Sequence, residues 1–297
     1  MNNVLITGAT GFIGRNLICR LKKEGFLVSA IVRPTSDTST LPKNINMLIH
    51  TANSRSLPIF IKSVKPDVVI HLATLFTATH KTEQITDLIN SNITFGTELL
   101  DTCAKIGTKN FINVGTHFQN YNREAYNPVS LYAATKQGFE DIIKYYTQVY
   151  KMKSLTVKIY DTYGPFDTRR KILTLFKENL ASGNLLNMSP GEQKLGLTYI
   201  DDVVEGFVKA IKAIQTFKDS EQKCYLVKPK QILTLKQVAT TFEDVCGKAL
   251  NIKWGATPYR EREIMEVWDN APNLLEGIDT LSLNEGLKKM LKAEGII

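Results

Sequence analysis

Cysteine is scarce and scattered: Cys19, Cys103, Cys224 and Cys246 are the only four in 297 residues, and none joins a CxxC pair or a Cys/His cluster. This excludes a disulfide framework and a structural zinc site, leaves no metal expected, and fits free thiols in a reducing cytoplasm. No run of about 18 apolar residues occurs, so no membrane-spanning helix is expected. The first apolar stretch is short and broken by glycines, so no secretory leader is expected either. The formal charge is +8, yet lysine and arginine are dispersed, with neither a basic run nor an aromatic-interleaved stripe. A nucleic-acid partner is therefore not expected. The excess charge either steers anionic small molecules toward the protein or serves solubility. Internal repeats, low-complexity tails and linker-length gaps are absent, so one compact unit with a smaller C-terminal lobe is expected.

What is present begins at once. Val4-Leu5-Ile6-Thr7-Gly8-Ala9-Thr10-Gly11-Phe12-Ile13-Gly14 is an apolar run that breaks into three regularly spaced glycines and continues as an amphipathic segment (Leu17, Ile18, Leu21). It reads as a strand, a tight turn and a helix start. Gly8 permits the turn, Gly11 lets a pyrophosphate approach the backbone, and Gly14 lets the helix over residues 12–24 lie close on the sheet. The unpaired N–H groups at that helix end suit the phosphates of a dinucleotide.

Residues 27–32 read as a second strand, whose end would meet the adenine ribose. An acid there would accept from the 2′-hydroxyl of NAD. Arg33 followed by Pro34-Thr35-Ser36 offers a cation and hydroxyls instead, so NADP(H) is expected over NAD(H), unless Arg33 is a solvated loop residue. A short helix over 54–64, with Pro58 near its start, ends at Lys65-Pro66. Residues 67–73 form a nearly all-apolar strand, expected to be buried on both faces of a parallel sheet. His71 within it has no carboxylate partner in sequence and is expected to be a hydrogen-bonded structural histidine. A long helix over 82–106 stops at Gly107, and residues 109–114 form the next strand.

Gly115-Thr116-His117-Phe118 leaves the carboxyl end of that strand, where open α/β sheets bind ligands. Tyr132-Ala133-Ala134-Thr135-Lys136 then opens a helix running to about residue 150, with Tyr132 and Lys136 on one face. A lysine ammonium beside a phenol favours the phenolate, so Lys136 is expected to lower the Tyr132 pKa and make it usable as an acid or base. These motifs, together with GATGFIG, DVVIHLA and Tyr163-Gly164-Pro165, resemble the extended short-chain dehydrogenase/reductase family of nucleotide-sugar enzymes.

The resemblance implies an α/β fold: a Rossmann-type doubly wound parallel sheet with a smaller C-terminal substrate-binding lobe. Residues 1–160 would form the dinucleotide-binding domain and 161–297 mainly the substrate lobe, with segments near 195–215 returning to the core. It implies Thr116, Tyr132 and Lys136 as catalytic residues. Cofactor contacts fall on Gly8, Thr10, Gly11, Phe12, Ile13, Gly14, Arg33, Leu72, Ala73, Thr74, Tyr132 and Lys136. Substrate contacts fall on Thr116, His117, Phe118, Asp161, Arg169 and Arg260. It further implies a homodimer and a nucleotide-diphosphate sugar as substrate. Sugar 4,6-dehydratases of this family carry Asp-Glu directly after the threonine. Here His117 and Phe118 stand there, which disfavours dehydration and leaves reduction of a 4-ketosugar or 4-epimerisation. The stretches around Thr116, Tyr132 and Tyr160-Asp161-Thr162-Tyr163, with Ser189-Pro190-Gly191-Glu192-Gln193, are similar to abequose and paratose synthases. That group implies NADPH-dependent reduction of a CDP-4-keto-3,6-dideoxyhexose.

Family members commonly carry Asn three residues before the Gly-Pro; here Asp161 would read a sugar hydroxyl or cap a turn. Asp167-Thr168-Arg169-Arg170-Lys171, ahead of a helix over 172–182, is either a diphosphate clamp or a solvated helix start. A strand over 197–200, helices over 203–214, 235–245 and 283–292, and a short strand over 252–254 complete the reading. Asp201-Asp202 suit a helix N-terminus. In Tyr259-Arg260-Glu261-Arg262, Arg260 falls near the nucleotide by resemblance, or the arginines belong to a surface ion-pair network.

Overall fold

A computed structural model describes residues 2–51 and 55–297. Strands β1 (Asn3–Thr7), β2 (Leu27–Val32), β3 (Asn46–Ile49), β4 (Val68–His71), β5 (Asn110–Thr116) and β6 (Lys153–Ile159) are interleaved with helices α1 (Phe12–Lys23), α2 (Ser56–Val64), α3 (Ile85–Ile89), α4 (Phe95–Ile106) and α5 (Leu131–Val149). Then come β7 (Asp161–Tyr163), α6 (Ile172–Ser182), β8 (Leu186–Asn187), β9 (Lys194–Tyr199), α7 (Ile200–Gln215), β10 (Gln222–Val227), β11 (Ile232–Thr234), α8 (Leu235–Cys246), β12 (Ile252–Lys253) and α9 (Leu283–Ala293). The central sheet has seven strands in the order β10-β6-β5-β4-β1-β2-β3. Every pairing in it is parallel. This is the Rossmann-type doubly wound sheet, with its topological switch between β1 and β4.

The apolar strands follow from burial on both sides. Val4, Ile6, Val68 and Ile70 face one layer with α1 and α7, while Leu5 and Val69 face the other with α2, α4 and α5. Alternate residues of one strand thus enter different cores, each fully buried side chain contributing roughly 1.5–3 kcal/mol. α7 packs against α1 and β6, and β10 adds an outer strand beside β6.

The smaller lobe holds a three-stranded sheet, β11-β9-β7, and a two-stranded one, β12-β8. Phe176 of α6 and Phe242 of α8, with ring centroids 5.5 Å apart, join its helices. Gly107 ends α4 in the left-handed conformation, and Lys65 ends α2 the same way ahead of Pro66.

The helix expected over 54–64 begins at Ser56, and Ser54 lies outside the described residues. The helix expected over 82–106 is not uniform. A 3₁₀ turn at Thr82–Gln84 leads into α3, and a π-turn at Asn90–Thr94 separates α3 from α4. Among the described residues no helix is long and apolar enough to cross a membrane.

Candidate active site

The β1–α1 turn depends on Gly8 and Gly14. Gly8 has φ +69°, and a Cβ there would lie 2.7 Å from the Ala73 nitrogen at the end of β4. A Cβ on Gly14 would run into Gly8 O and come within 2.8 Å of Ala9 O, so α1 is as close to the turn as backbone allows. Gly11 is the N-cap and offers no side-chain cap, leaving the first amides of α1 available to an anion. Thr10 is half-buried beside it. Phe12 is buried beneath the Arg169 and Arg15 guanidinium groups, at 4.7 and 5.3 Å, while Ile13 packs on the core.

At the end of β4, Thr7 Oγ1 lies 2.8 Å from His71 Nδ1 and accepts the Ala73 N–H at 3.2 Å. His71 is the structural histidine expected from sequence. Burial first, and the Lys136 charge second, push its pKa down to about 3. Leu72 packs on the core, and the Thr74 hydroxyl donates to Asn92 Oδ1 at 3.0 Å. Asn92, in the π-turn, also donates to Leu75 O and to Thr135 Oγ1, each at 3.0 Å, fastening the loop after β4 to α5. Sequence reading missed Asn92; the run Asn90-Ser91-Asn92 within a helical segment is the signal that could have found it.

Ser130 caps α5 by accepting the Ala133 N–H, which places Tyr132 in the first turn. The expectation that Lys136 lowers the Tyr132 pKa is corrected by the structure. Burial pushes the phenol up to about 12, a hydrogen bond with Thr74 opposes it only in part, and the Asp161 charge adds to it. Desolvation thus outweighs any help from the lysine, and Tyr132 is held as a protonated acid at neutral pH. Lys136 is buried, and its ammonium makes no hydrogen bond or ion pair among the described residues. Burial pushes it down to about 8 against the charge of Glu140. Thr116 ends β5; its hydroxyl accepts the Phe118 N–H at 3.3 Å.

Between this strand end and the smaller lobe lies a cavity of about 680 Å³, lined by His117, Phe118, Asp161, Thr162, Arg170, Lys171, Gln193, Arg260 and Arg262 among others. Four lining residues carry buried polar atoms with no partner among the described residues: His117 Nδ1, Thr162 Oγ1, Gln193 Oε1 and Arg262 Nε. An unsatisfied buried group costs about 1–3 kcal/mol, so this wall suits a polar ligand.

His117 stacks on Tyr160 at 5.1 Å, and burial pushes its pKa down to about 4, against Asp161 and helped by Lys171. Burial raises the Asp161 carboxyl, but Lys171 at 2.7 Å, His117 and Arg169 hold it below its ordinary range.

Arg169, in the segment expected as either a diphosphate clamp or a solvated helix start, does not line the cavity. Its guanidinium grips both Asp167 oxygens, at 2.8 and 2.7 Å, and donates to Thr162 O. Arg170 and Lys171 line the cavity instead. Arg260 is exposed on the cavity rim, and Arg262 donates to Asn127 Oδ1 while lying 4.3 Å over Tyr121. Arg33 is exposed at the end of β2, its N–H donating to Ser36 Oγ at 3.1 Å.

His71 and His117 make stability pH-dependent. Both titrate lower when folded than the ordinary value of about 6.5, so the unfolded chain takes up protons first as pH falls. Folding is therefore most favoured above about 6.5 and weakens by about 1.4 kcal/mol per pH unit per histidine below it. The loss runs down to the folded pKa values of about 4 for His117 and about 3 for His71. Urea midpoints measured from pH 7 to 5 should fall on this slope, and His117→Asn should remove about half of it. A flat profile would contradict the burial of both imidazoles as neutral groups.

A parallel dinucleotide-type sheet, a glycine turn at its first helix and a Tyr132–Lys136 face beside the end of β5 define an oxidoreductase-type enzyme. Residues 4–222 match the NAD dependent epimerase/dehydratase family, and the chain belongs to it. A CDP-abequose synthase of Salmonella muenchen is 28% identical over 292 residues, covering 97% of this chain and 96% of that one. A UDP-glucose 4-epimerase of Thermotoga maritima, solved with UDP-glucose, superposes with a TM-score of 0.85 at 21% identity over 99% of this chain and 98% of its own. A UDP-glucuronic acid 4-epimerase of Bacillus cereus, solved with UDP-glucuronic acid and NAD, gives 0.82 at 22% identity, covering 98% of each chain.

Proposed function

We propose that the protein reduces the C4 keto group of a nucleotide-linked deoxysugar, such as CDP-4-keto-3,6-dideoxy-D-glucose, with NADPH as reductant. The observation that carries this reading is a buried Tyr132 one helical turn from Lys136, beside a cavity with no carboxylate at positions 117 and 118. Similarity to CDP-abequose synthase over nearly the whole chain supports the substrate class.

The chain's own residues fit a dinucleotide: the first amides of α1 are uncapped at Gly11, and Lys136 is buried with no hydrogen-bond or ion-pair partner among the described residues. NADPH supplies hydride when bound. Tyr132 gives its proton to the oxygen at C4, the Thr116 hydroxyl holds that oxygen by a hydrogen bond, and Lys136 holds the nicotinamide ribose. In the cavity, Lys171, with Arg170 and Arg260, meets the diphosphate, while His117, Phe118 and Asp161 meet the sugar. Residues 1–160 with the returning α7 serve the cofactor, and the later segments serve the substrate. A second copy of the chain would pack on the helical face where Tyr145 and Val149 are exposed.

Arg33, at the end of β2 with Ser36 beside it, selects the 2′-phosphate. A charge-assisted hydrogen bond contributes about 1.5–3 kcal/mol. Arg33→Ala should therefore raise the NADPH Kd by about tenfold or more and leave the NADH Kd near its wild-type value. Fluorescence titration with both cofactors measures this. Wild-type protein that binds NADH as tightly as NADPH would overturn the assignment.

A 4-epimerase is the second reading, favoured by the epimerases among the similar folds. An epimerase regenerates its cofactor in every cycle. Screening CDP-, dTDP- and GDP-linked 4-keto deoxysugars for NADPH oxidation, and the corresponding C4 alcohols for epimerisation, separates the two: steady consumption with a ketosugar supports the reductase, and interconversion of the C4-epimeric alcohols without consumption supports the epimerase.

A further inference from the structure

Helix α5 carries one more group in register with its functional face: Glu140, one turn beyond Lys136 and two beyond Tyr132. Its Oε1 accepts a hydrogen bond from Gln119 Nε2 at 2.8 Å. Gln119 Oε1 in turn accepts the backbone N–H of Thr116 at 2.9 Å. The same Gln119 nitrogen donates to Gln137 Oε1 at 2.9 Å, so the amide orientation is fixed from two sides. A Cβ on Gly115 would lie 2.9 Å from Gln119 Oε1, 2.9 Å from Lys158 Cγ and 3.0 Å from Glu140 Oε1. These side chains therefore fill the space under the peptide that leads into Thr116, and only glycine leaves room for them.

Glu140 is embedded among charges. Burial pushes its carboxyl up; Lys158 on β6, the Gln119 hydrogen bond and Lys136 pull it back, and Asp141 opposes them. Lys158 Nζ is itself anchored on Asn120 Oδ1 at 2.9 Å and lies over the Trp268 ring. Glu140, Gln119 and Lys158 sit under the peptide that leads into Thr116 and do not line the cavity.

We propose that Glu140 is a positioning residue: through Gln119 it fixes the Thr116 backbone at the end of β5 and so aims the Thr116 hydroxyl at the oxygen being reduced. This rests on the role given to Thr116 above. Thr116 has an extended backbone, φ −144° and ψ 146°, and its side-chain direction follows the orientation of that peptide. A misplacement of about 1 Å at a reacting centre can lower the rate by about 10²-fold.

An exchange of the two side chains tests it. Gln119→Glu alone sets two carboxylates against each other. Glu140→Gln alone replaces a charge-assisted hydrogen bond by a neutral one. In the doubly substituted protein, the carboxylate at position 119 accepts both from the Thr116 N–H and from the amide at position 140, so the relay is rebuilt with its polarity reversed.

The readouts are hydrogen–deuterium exchange at the Thr116 amide, kcat and KM. Gln119→Glu is expected to speed exchange and lower kcat by roughly tenfold each with KM held, Glu140→Gln to do so less, and the double variant to recover most of both. Exchange unaltered in both single variants, or a double variant no better than Gln119→Glu, would overturn the proposal. Should Gln119→Glu fail to fold, Glu140→Gln with the double variant decides by the same readouts. If no 4-ketosugar is turned over by the wild type, the reductase reading fails, while exchange at Thr116 still decides the relay.

Discussion

Tyr132→Phe should lower kcat by roughly 10²-fold or more while leaving KM for the nucleotide sugar close to that of the wild type. Positioned proton transfer contributes typically about 10²–10⁴-fold, and the phenol is the group held protonated, by burial, on the helix face that meets the end of β5. The lost interaction strengthens mainly in the transition state, as the carbonyl oxygen becomes an alkoxide, so the effect belongs to kcat. The fold should be intact, because the ring remains against Phe76, 5.0 Å away edge to face. Thr116→Ala removes a single hydrogen bond to the same oxygen and should cost less, about 10²-fold at most. A Tyr132→Phe protein that keeps more than about a tenth of wild-type kcat with chemistry rate-limiting would require another donor of the proton. His117, whose Nδ1 is buried and unpaired in the cavity wall, would then be the group to replace.

Gly14→Val should abolish dinucleotide binding. Its Cβ would run into Gly8 O and lie within 3 Å of Ala9 O and Ala9 C, and all three are backbone atoms that cannot swing aside. Relief requires α1 to move away from the turn, which carries its first amides away from the pyrophosphate. Losing two charge-assisted hydrogen bonds of about 1.5–3 kcal/mol each raises Kd by about 10²-fold or more. Overpacking costs a further 1–3 kcal/mol or so of stability. Gly25→Ala is the contrast: φ there is +85°, but a Cβ meets nothing within 4 Å. It should cost roughly 1 kcal/mol of stability and leave cofactor affinity unchanged. Isothermal titration with NADPH, alongside thermal melts, separates the two effects. Near-wild-type affinity in Gly14→Val would contradict the close packing of α1 on the turn.

Much of this geometry is legible in the residues because it is set by neighbours in sequence. The three glycines of the first turn and Gly107 after α4 each announce a local conformation, and the helix expected over 172–182 has those bounds. The poorly legible elements are those whose reason lies far away. β10 has a mixed, half-exposed sequence and is a strand because β6 offers it an edge. β7 has only three residues, and β3 is a short sheet edge whose apolar run, Met47-Leu48-Ile49, is largely exposed.

Within the site, residue types were readable and their alliances were not. Asp167 captures Arg169, so the neighbouring Lys171 faces the cavity, a choice that depends on side-chain geometry. The Tyr132 pKa is governed by how deeply the ring is buried, which the i, i+4 spacing does not encode. Gln119 and Glu140 meet only because the turn after β5 folds back onto α5.

The most direct test of the proposed reduction uses NADPH carrying deuterium at the transferable C4 position of the nicotinamide, with CDP-4-keto-3,6-dideoxy-D-glucose as acceptor and NMR of the product. The reductase assignment predicts one NADPH consumed per sugar, with the deuterium at C4 of a single C4 epimer. Ketosugar recovered unreduced with no NADPH oxidised, or a product carrying the deuterium elsewhere than at C4, would contradict it.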